Sequence, residues 1–155
     1  MLSNDLHTAL VVRTAAALPS DERAAITQLC HATAVPPAPW AVSREHWMLW
    51  HGSTLVAYAS IAEREVRVAG AMQRVAWLPV FVVAPAWQRQ GMGTALQHLV
   101  AAALRGTAYP AAVSHCATDA DFWVRCGWLE CARHWWLLPL ALQPHELGAW
   151  TAGVG

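Results

Sequence analysis

Val75 to Leu104 reads VAWLPVFVVAPAWQRQGMGTALQHLVAAAL, and its sense decides the fold. The first part is almost wholly apolar, β-branched or aromatic, which suits a strand buried on both faces. Gln88-Arg89-Gln90-Gly91-Met92-Gly93-Thr94 then breaks the pattern. Beyond it Leu96, Leu99, Val100, Ala103 and Leu104 recur at helical spacing, and Gly106 follows as a stop. Two glycines at a strand-to-helix junction let a ligand approach the backbone, and the first free N–H groups of a helix face an anion there. Thr94 can add a hydroxyl and Arg89 a charge. No Gly-Lys-Ser/Thr follows, so this is not a P-loop, and the glycine spacing does not fit a dinucleotide fingerprint.

The rest of the chain sets bounds. Its 155 residues fit one domain, expected to span 1–155. Ten cationic residues, all arginine, balance ten acids, which argues against a nucleic-acid or anionic-membrane partner. Only 13% of residues are charged, 56% are apolar and ten are tryptophan, so some apolar surface is expected to line a pocket or a homodimer interface. Cys30, Cys116, Cys126 and Cys131 form no C-x-x-C pair and no zinc spacing, and read as reduced, buried thiols. The opening MLSNDLHT shows no signal-peptide pattern, and the longest apolar run, Val75 to Trp87, is too short for a bilayer, so a cytoplasmic protein is expected.

In chain order, Leu6 to Arg13 suggests a first strand, and a helix runs from Pro19-Ser20 to about Ala32 with Ser20 as cap. Val35-Pro36-Pro37-Ala38-Pro39-Trp40 is irregular. Trp47–His51 and Thr54–Val68 form a hairpin about Gly52-Ser53, with His46 and His51 on the surface. The central strand covers Met72 to Ala84, with a bulge where Pro79 cannot donate to the ladder. Ala111–Ser114 is a strand, Thr118-Asp119-Ala120-Asp121 caps a brief helix ending at Gly127, and Leu129 to Leu142 supplies closing strands. The tail from Glu146 has no local reading.

Val83-Ala84-Pro85-Ala86-Trp87-Gln88-Arg89-Gln90-Gly91-Met92-Gly93 resembles motif A of the GNAT superfamily of N-acetyltransferases. Phe122-Trp123-Val124-Arg125-Cys126-Gly127-Trp128 resembles that family's later aromatic segment. The resemblance implies an α/β fold: a mixed, mostly antiparallel sheet splayed at the central strand, with helices on both faces. It implies acetyl-CoA as cosubstrate, with its pyrophosphate on the amides of Gln88, Arg89, Gln90, Gly91, Met92, Gly93 and Thr94, and its pantetheine arm on the backbone of Phe81, Val82 and Val83. It also implies that the segment about Trp40 is a flap beside the acceptor, and that Pro79 and Val80 border that acceptor.

Within the family the chain is most similar to aminoglycoside 2'-N-acetyltransferases. The similarity lies in Leu6-His7-Thr8-Ala9-Leu10-Val11, Trp50-His51-Gly52, Ala86-Trp87, Gly127-Trp128, Glu146-Leu147 and Trp150. Ser114 matches a substrate-contacting serine. Pro79 stands where those enzymes carry a glutamate, Trp123 where they carry a tyrosine that protonates the thiolate, and Pro39, Trp40 and Gly153-Val154-Gly155 where they carry acids. An indole is a donor without useful acidity. His115, with Asp119 nearby, is the candidate base. Cys116 and Cys126 read as packing residues rather than as the acid. Trp40, Trp47, Trp77 and Trp123 suit core and dimer contact, or an aromatic acceptor pocket. Arg64, Arg67 and Arg74 read as a solvated edge, or as contacts to the 3'-phosphate of CoA. The expected function is acetyl-CoA-dependent N-acetylation of a small-molecule amine. The alternatives are a non-catalytic acyl-CoA-binding module and an aminoglycoside enzyme with relocated acids.

Overall fold

The computed structural model describes residues 7–38 and 40–152. They gather into two compact units: residues up to Ser60 with Val80–Leu96, and Ile61–Pro79 with the chain from Gln97 onward. The expectations placed on Leu6, Pro39 and the last three residues lie outside the described residues.

In the first unit, β1 (Thr8–Thr14) runs antiparallel to β2 (Glu45–His51), with Thr8 opposite His51 and Thr14 opposite Glu45. A tight turn leads from β2 into β3 (Thr54–Val68), whose early residues also pair with β5 (Phe81–Val83). Leu55 to Ala62 are buried without alternation, as expected of a strand covered on both faces. Helix α1 (Ser20–Ala32) presents Ile26, Leu29 and Cys30 to a core made with Met48, Leu55, Tyr58, Val80 and Val82. Arg13 on β1 donates through Nε and Nη2 to the Glu22 carboxylate of α1. The cap expected at Ser20 falls one residue earlier: Pro19 takes the cap position, with its fixed φ, and no side chain caps the helix.

The second unit contains the remainder of β3 with β4 (Ala71–Trp77), β6 (Ala111–His115), β8 (Trp135–Pro139) and β7 (Leu129–Ala132), in that order. Only β4 and β6 are parallel; the other pairs described are antiparallel. Val66, Val75, Val113, Leu137 and Trp150 share one core. Trp150 comes from α4 (Leu147–Thr151), a one-turn helix that the sequence did not announce. Helix α3 (Ala120–Arg125) starts from Asp119 in the left-handed region at φ 58°, and no side chain caps it, so the expected capping box does not form.

The single strand expected from Met72 to Ala84 is two strands. Leu78, Pro79 and Val80 belong to neither. Leu78 N–H still donates to Val113 in the second unit, whereas Val80 C=O accepts from Ser60 in the first. Proline supplies no N–H, so the chain changes partners where the ladder has least to lose.

The four cysteines form no disulfide. Cys30 and Cys131 are buried, and Cys116 and Cys126 half-buried. No helix of the described residues is long and apolar enough to cross a membrane.

Candidate active site

The turn after β5 belongs wholly to the first unit. Pro85–Trp87 forms one turn of 3-10 helix, whose fixed proline φ starts the reversal. Arg89 and Gly91 then adopt the left-handed region, at φ 63° and 82°, and α2 begins at Met92 and runs to Arg105. The first helical bond is Ala95 N–H to Gly91 C=O. Among the described residues, the N–H groups of Arg89, Gln90, Gly91, Met92, Gly93 and Thr94 have no acceptor. Successive unpaired amides at a helix start bind anions well.

Two side chains brace this turn. Gln88 Nε2 donates to Val83 C=O at 3.1 Å, and Gln90 Nε2 donates to Ala86 C=O at 3.0 Å. Both glutamines therefore turn their side-chain amides back into the loop, and the Gln88 N–H is itself donated to Pro85 C=O, so the expectation that the Gln88 amide meets the pyrophosphate fails while Gln90 keeps its N–H open. A Cβ built on Gly91 meets nothing within 4 Å, so the space before the amides is open. Gln88, Arg89, Gln90, Gly91 and Thr94 are exposed, and Met92 and Gly93 half-buried. A pyrophosphate fits this arrangement.

β5 complements the turn. Ser60 N–H to Val80 C=O and Ala84 N–H to Val56 C=O place the even-numbered residues on the edge facing β3. By alternation Val83 carries its N–H on the other edge. Val82 is buried core and its backbone groups face β3, so the expectation that its backbone meets the pantetheine arm on the outer edge fails. Val80 needs a correction as an acceptor residue: its side chain lies in the core at 2% exposure and its carbonyl is taken by Ser60. Pro79 is half-buried at the partner change.

In the flap, Trp40 is half-buried against the first core, with the Arg23 guanidinium 4.9 Å above its ring and His46 at 5.6 Å. His46 is not on the surface as expected. It is buried at 1% exposure, and its Nδ1 lies 2.7 Å from Tyr58 Oη in a hydrogen bond. Burial, then the Arg23 charge, lowers the His46 pKa, and burial raises that of Tyr58. Neither was visible in the sequence, because β2 buries four consecutive residues instead of alternating.

The acceptor-side candidates lie in the second unit. Ser114 is buried, and its hydroxyl donates to Leu78 C=O at 2.9 Å. His115 is exposed, with its ring 5.1 Å from that of Trp135. Trp123, at 2% exposure, packs edge-on against Trp128 at 4.9 Å and parallel to Trp136 at 6.4 Å. Its placement is that of a core ring. Trp128 Nε1 donates to the buried Gln97 carboxamide at 2.9 Å. Trp47 is buried with Nε1 donating to Glu45, while Trp77 faces Arg64. Arg64 departs from the expected solvated edge: its guanidinium lies between the Trp77 and Trp135 rings, at 5.5 and 4.7 Å. Among the described residues no His, Cys, Asp and Glu cluster could hold a metal.

A strand that changes partners, followed by a braced anion-binding turn and a long helix, defines an acyl-CoA-using α/β protein. The chain belongs to the acetyltransferase (GNAT) family, whose pattern matches residues 17–128. Acetyl-CoA is the cosubstrate that goes with that membership. The fold recurs in a GNAT family acetyltransferase from Brucella melitensis in complex with acetyl-CoA, at 18% identity and TM-score 0.64, over 88% of this chain and 92% of that one. It recurs in the GNAT family N-acetyltransferase YhbS from Escherichia coli in complex with CoA, at 15% identity and TM-score 0.68, over 99% and 89%. The ribosomal-protein-S18-alanine N-acetyltransferase from Escherichia coli shares it at 15% identity and TM-score 0.63, over 89% and 98%. No curated protein matches the sequence.

Proposed function

We propose that this protein is an N-acetyltransferase that moves the acetyl group of acetyl-CoA to a small amine. The observation that supports it is the run of six acceptorless amides from Arg89 to Thr94. Those amides would hold the pyrophosphate, and the outer edge of β5, with Val83 N–H, would hold the pantetheine arm. When bound, acetyl-CoA supplies a thioester carbonyl open to attack by a neutral amine. A strand-edge N–H near that carbonyl stabilises the charge that grows on its oxygen. The attacking amine must lose a proton, and His115 is the exposed imidazole assigned to that step. Ser114, whose hydroxyl is already donated to Leu78, would act by positioning β6 rather than as an acid.

The reading extends to a homodimer in the cytoplasm. Leu10 and Val12 leave an exposed apolar stripe on β1, at 38% and 41% exposure. One observation favours a rival, the CoA-binding module without chemistry: the ring at 123 is buried and offers no proton donor of useful acidity. Thiol release from acetyl-CoA, measured across aromatic and aliphatic monoamines beside aminoglycosides, separates them. Turnover with monoamines is expected. CoA binding without turnover on any amine would favour the module. A kcat/KM for aminoglycosides above that of every monoamine would restore the resistance-enzyme reading.

A further inference from the structure

In the second unit Arg64 is a half-buried cation whose described contacts are aromatic rings rather than an anion. By alternation along β3, Arg64 projects to the face opposite Glu63 and Glu65. Glu63 is engaged by Tyr109 Oη at 2.6 Å and by Arg74 at 3.8 Å, and Glu65 stands opposite Arg74 in the ladder. Among the described residues Arg64 makes no hydrogen bond and no ion pair; its contacts are the faces of Trp77 and Trp135. Register puts these groups together. Arg64 is opposite Val75, two residues from Trp77 on the same face, and Trp135 is opposite His115.

The guanidinium lies over both indole rings, at 5.5 and 4.7 Å, a cation–π arrangement that attracts it and restricts its plane. Its N–H edge then has donors directed into that plane and little freedom to lose on binding. A planar oxyanion meets such an edge in bidentate fashion. His115, the assigned base, packs its ring on Trp135, the same indole that holds Arg64. One indole, Trp135, therefore supports both side chains.

We propose that Arg64, held between Trp77 and Trp135, binds the carboxylate of the acceptor, so that the preferred substrate is a small amine that also carries a carboxylate. The proposal rests on the acetyltransferase reading above. It deepens that reading by naming the acceptor's second functional group.

The test uses amines that differ only by the carboxylate: tryptophan against tryptamine, phenylalanine against phenethylamine, histidine against histamine. In the full-length protein, kcat/KM is expected to favour the carboxylate-bearing member by at least about tenfold. In Arg64→Gln the preference is expected to fall to about one, at unchanged acetyl-CoA affinity. Arg64→Lys keeps charge without the fork and is expected to fall between. Thermal melts of each variant show that it is folded. A wild-type preference at or below one overturns the proposal, as does an equal preference in Arg64→Gln. If no member is turned over, calorimetric titration of the same pairs onto the CoA-loaded protein is read against the same ratios, and equal or undetectable binding overturns it. Comparison of CoA with dephospho-CoA covers the other oxyanion. If Arg64→Gln weakens CoA and leaves dephospho-CoA unchanged, the arginine belongs to the 3'-phosphate and the carboxylate proposal is overturned. Failure of the acetyltransferase reading looks different: the wild type would turn over no amine of any kind, whether it binds CoA, as the module would, or binds neither acetyl-CoA nor CoA.

Discussion

The turn after β5 and the ring cluster about Trp123 come from two motifs of one family, yet they are built on opposite principles. The turn exposes backbone. Six amides are left unpaired, two residues sit in the left-handed region, and both glutamine side chains are spent on bracing. The ring cluster hides side chains: Trp123, Trp128 and Trp136 lie within 3% exposure and Gln97 satisfies one indole N–H. A site made of backbone depends on where glycine and proline stand. A site made of side chains depends on what surrounds them, and here the surroundings have turned a family position into packing.

The sharpest way to break this contrast is Gly91→Asp. An L side chain in the left-handed region costs about 1–2 kcal/mol, and a carboxylate before the amides repels phosphate. Calorimetry is expected to show CoA affinity reduced by about 10²-fold or more. Equal affinity in mutant and wild type would remove the turn from the site.

Trp123→Ala tests the other side. Deleting a buried ring costs about 3–5 kcal/mol, so the denaturant midpoint is expected to fall steeply while CoA affinity of the folded fraction holds. Trp123→Tyr restores the phenol found in the resembled subfamily and is expected to give no gain in turnover. A tenfold rise would return position 123 to the chemistry.

A smaller effect is expected from the braces. Gln88→Ala or Gln90→Ala removes one exposed hydrogen bond worth about 0.5–1.5 kcal/mol. Each is expected to weaken CoA by up to about tenfold, with the melting temperature lowered by only about a few degrees. Loss of stability without loss of affinity would make them structural.

The least effect concerns acid. His46 is buried with its pKa lowered, so the unfolded chain binds more protons than the native one below the ordinary histidine value near 6.5. Stability on this account rises with pH from the lowered native value up to about 6.5 and is level above it. Denaturation midpoints between pH 7 and 5 are expected to decline in the wild type and to decline less in His46→Asn. Equal slopes would disprove it.

These outcomes bear on what the residues revealed beforehand. The hairpin at Gly52-Ser53 was legible because a turn pair separates two β-rich runs; at Pro79 the missing N–H made an interruption legible, but a bulge was expected where the chain changes partners. The caps at Ser20 and Thr118 were misread. A proline precedes one helix and a left-handed Asp119 the other, and no side-chain hydroxyl caps either. His46 and Arg64 were misplaced because their partners, Tyr58 and two tryptophans, are brought together only by pairing between strands. The one-turn α4 carries no periodicity to read. What it contributes is Trp150, buried in the second core.

The cysteines give the contrast a clock. A thiol-reactive dye that reports CoA release also reports the protein. Cys116 donates to Thr118 C=O near the surface, whereas burial pushes the Cys30 thiol up to about 11 and also raises that of Cys131. Thiolate is the reacting form, so Cys30 and Cys131 stay silent until the units open. In one cuvette, the rapid signal measures the shallow thiols and turnover, and the late signal dates the moment each core comes apart.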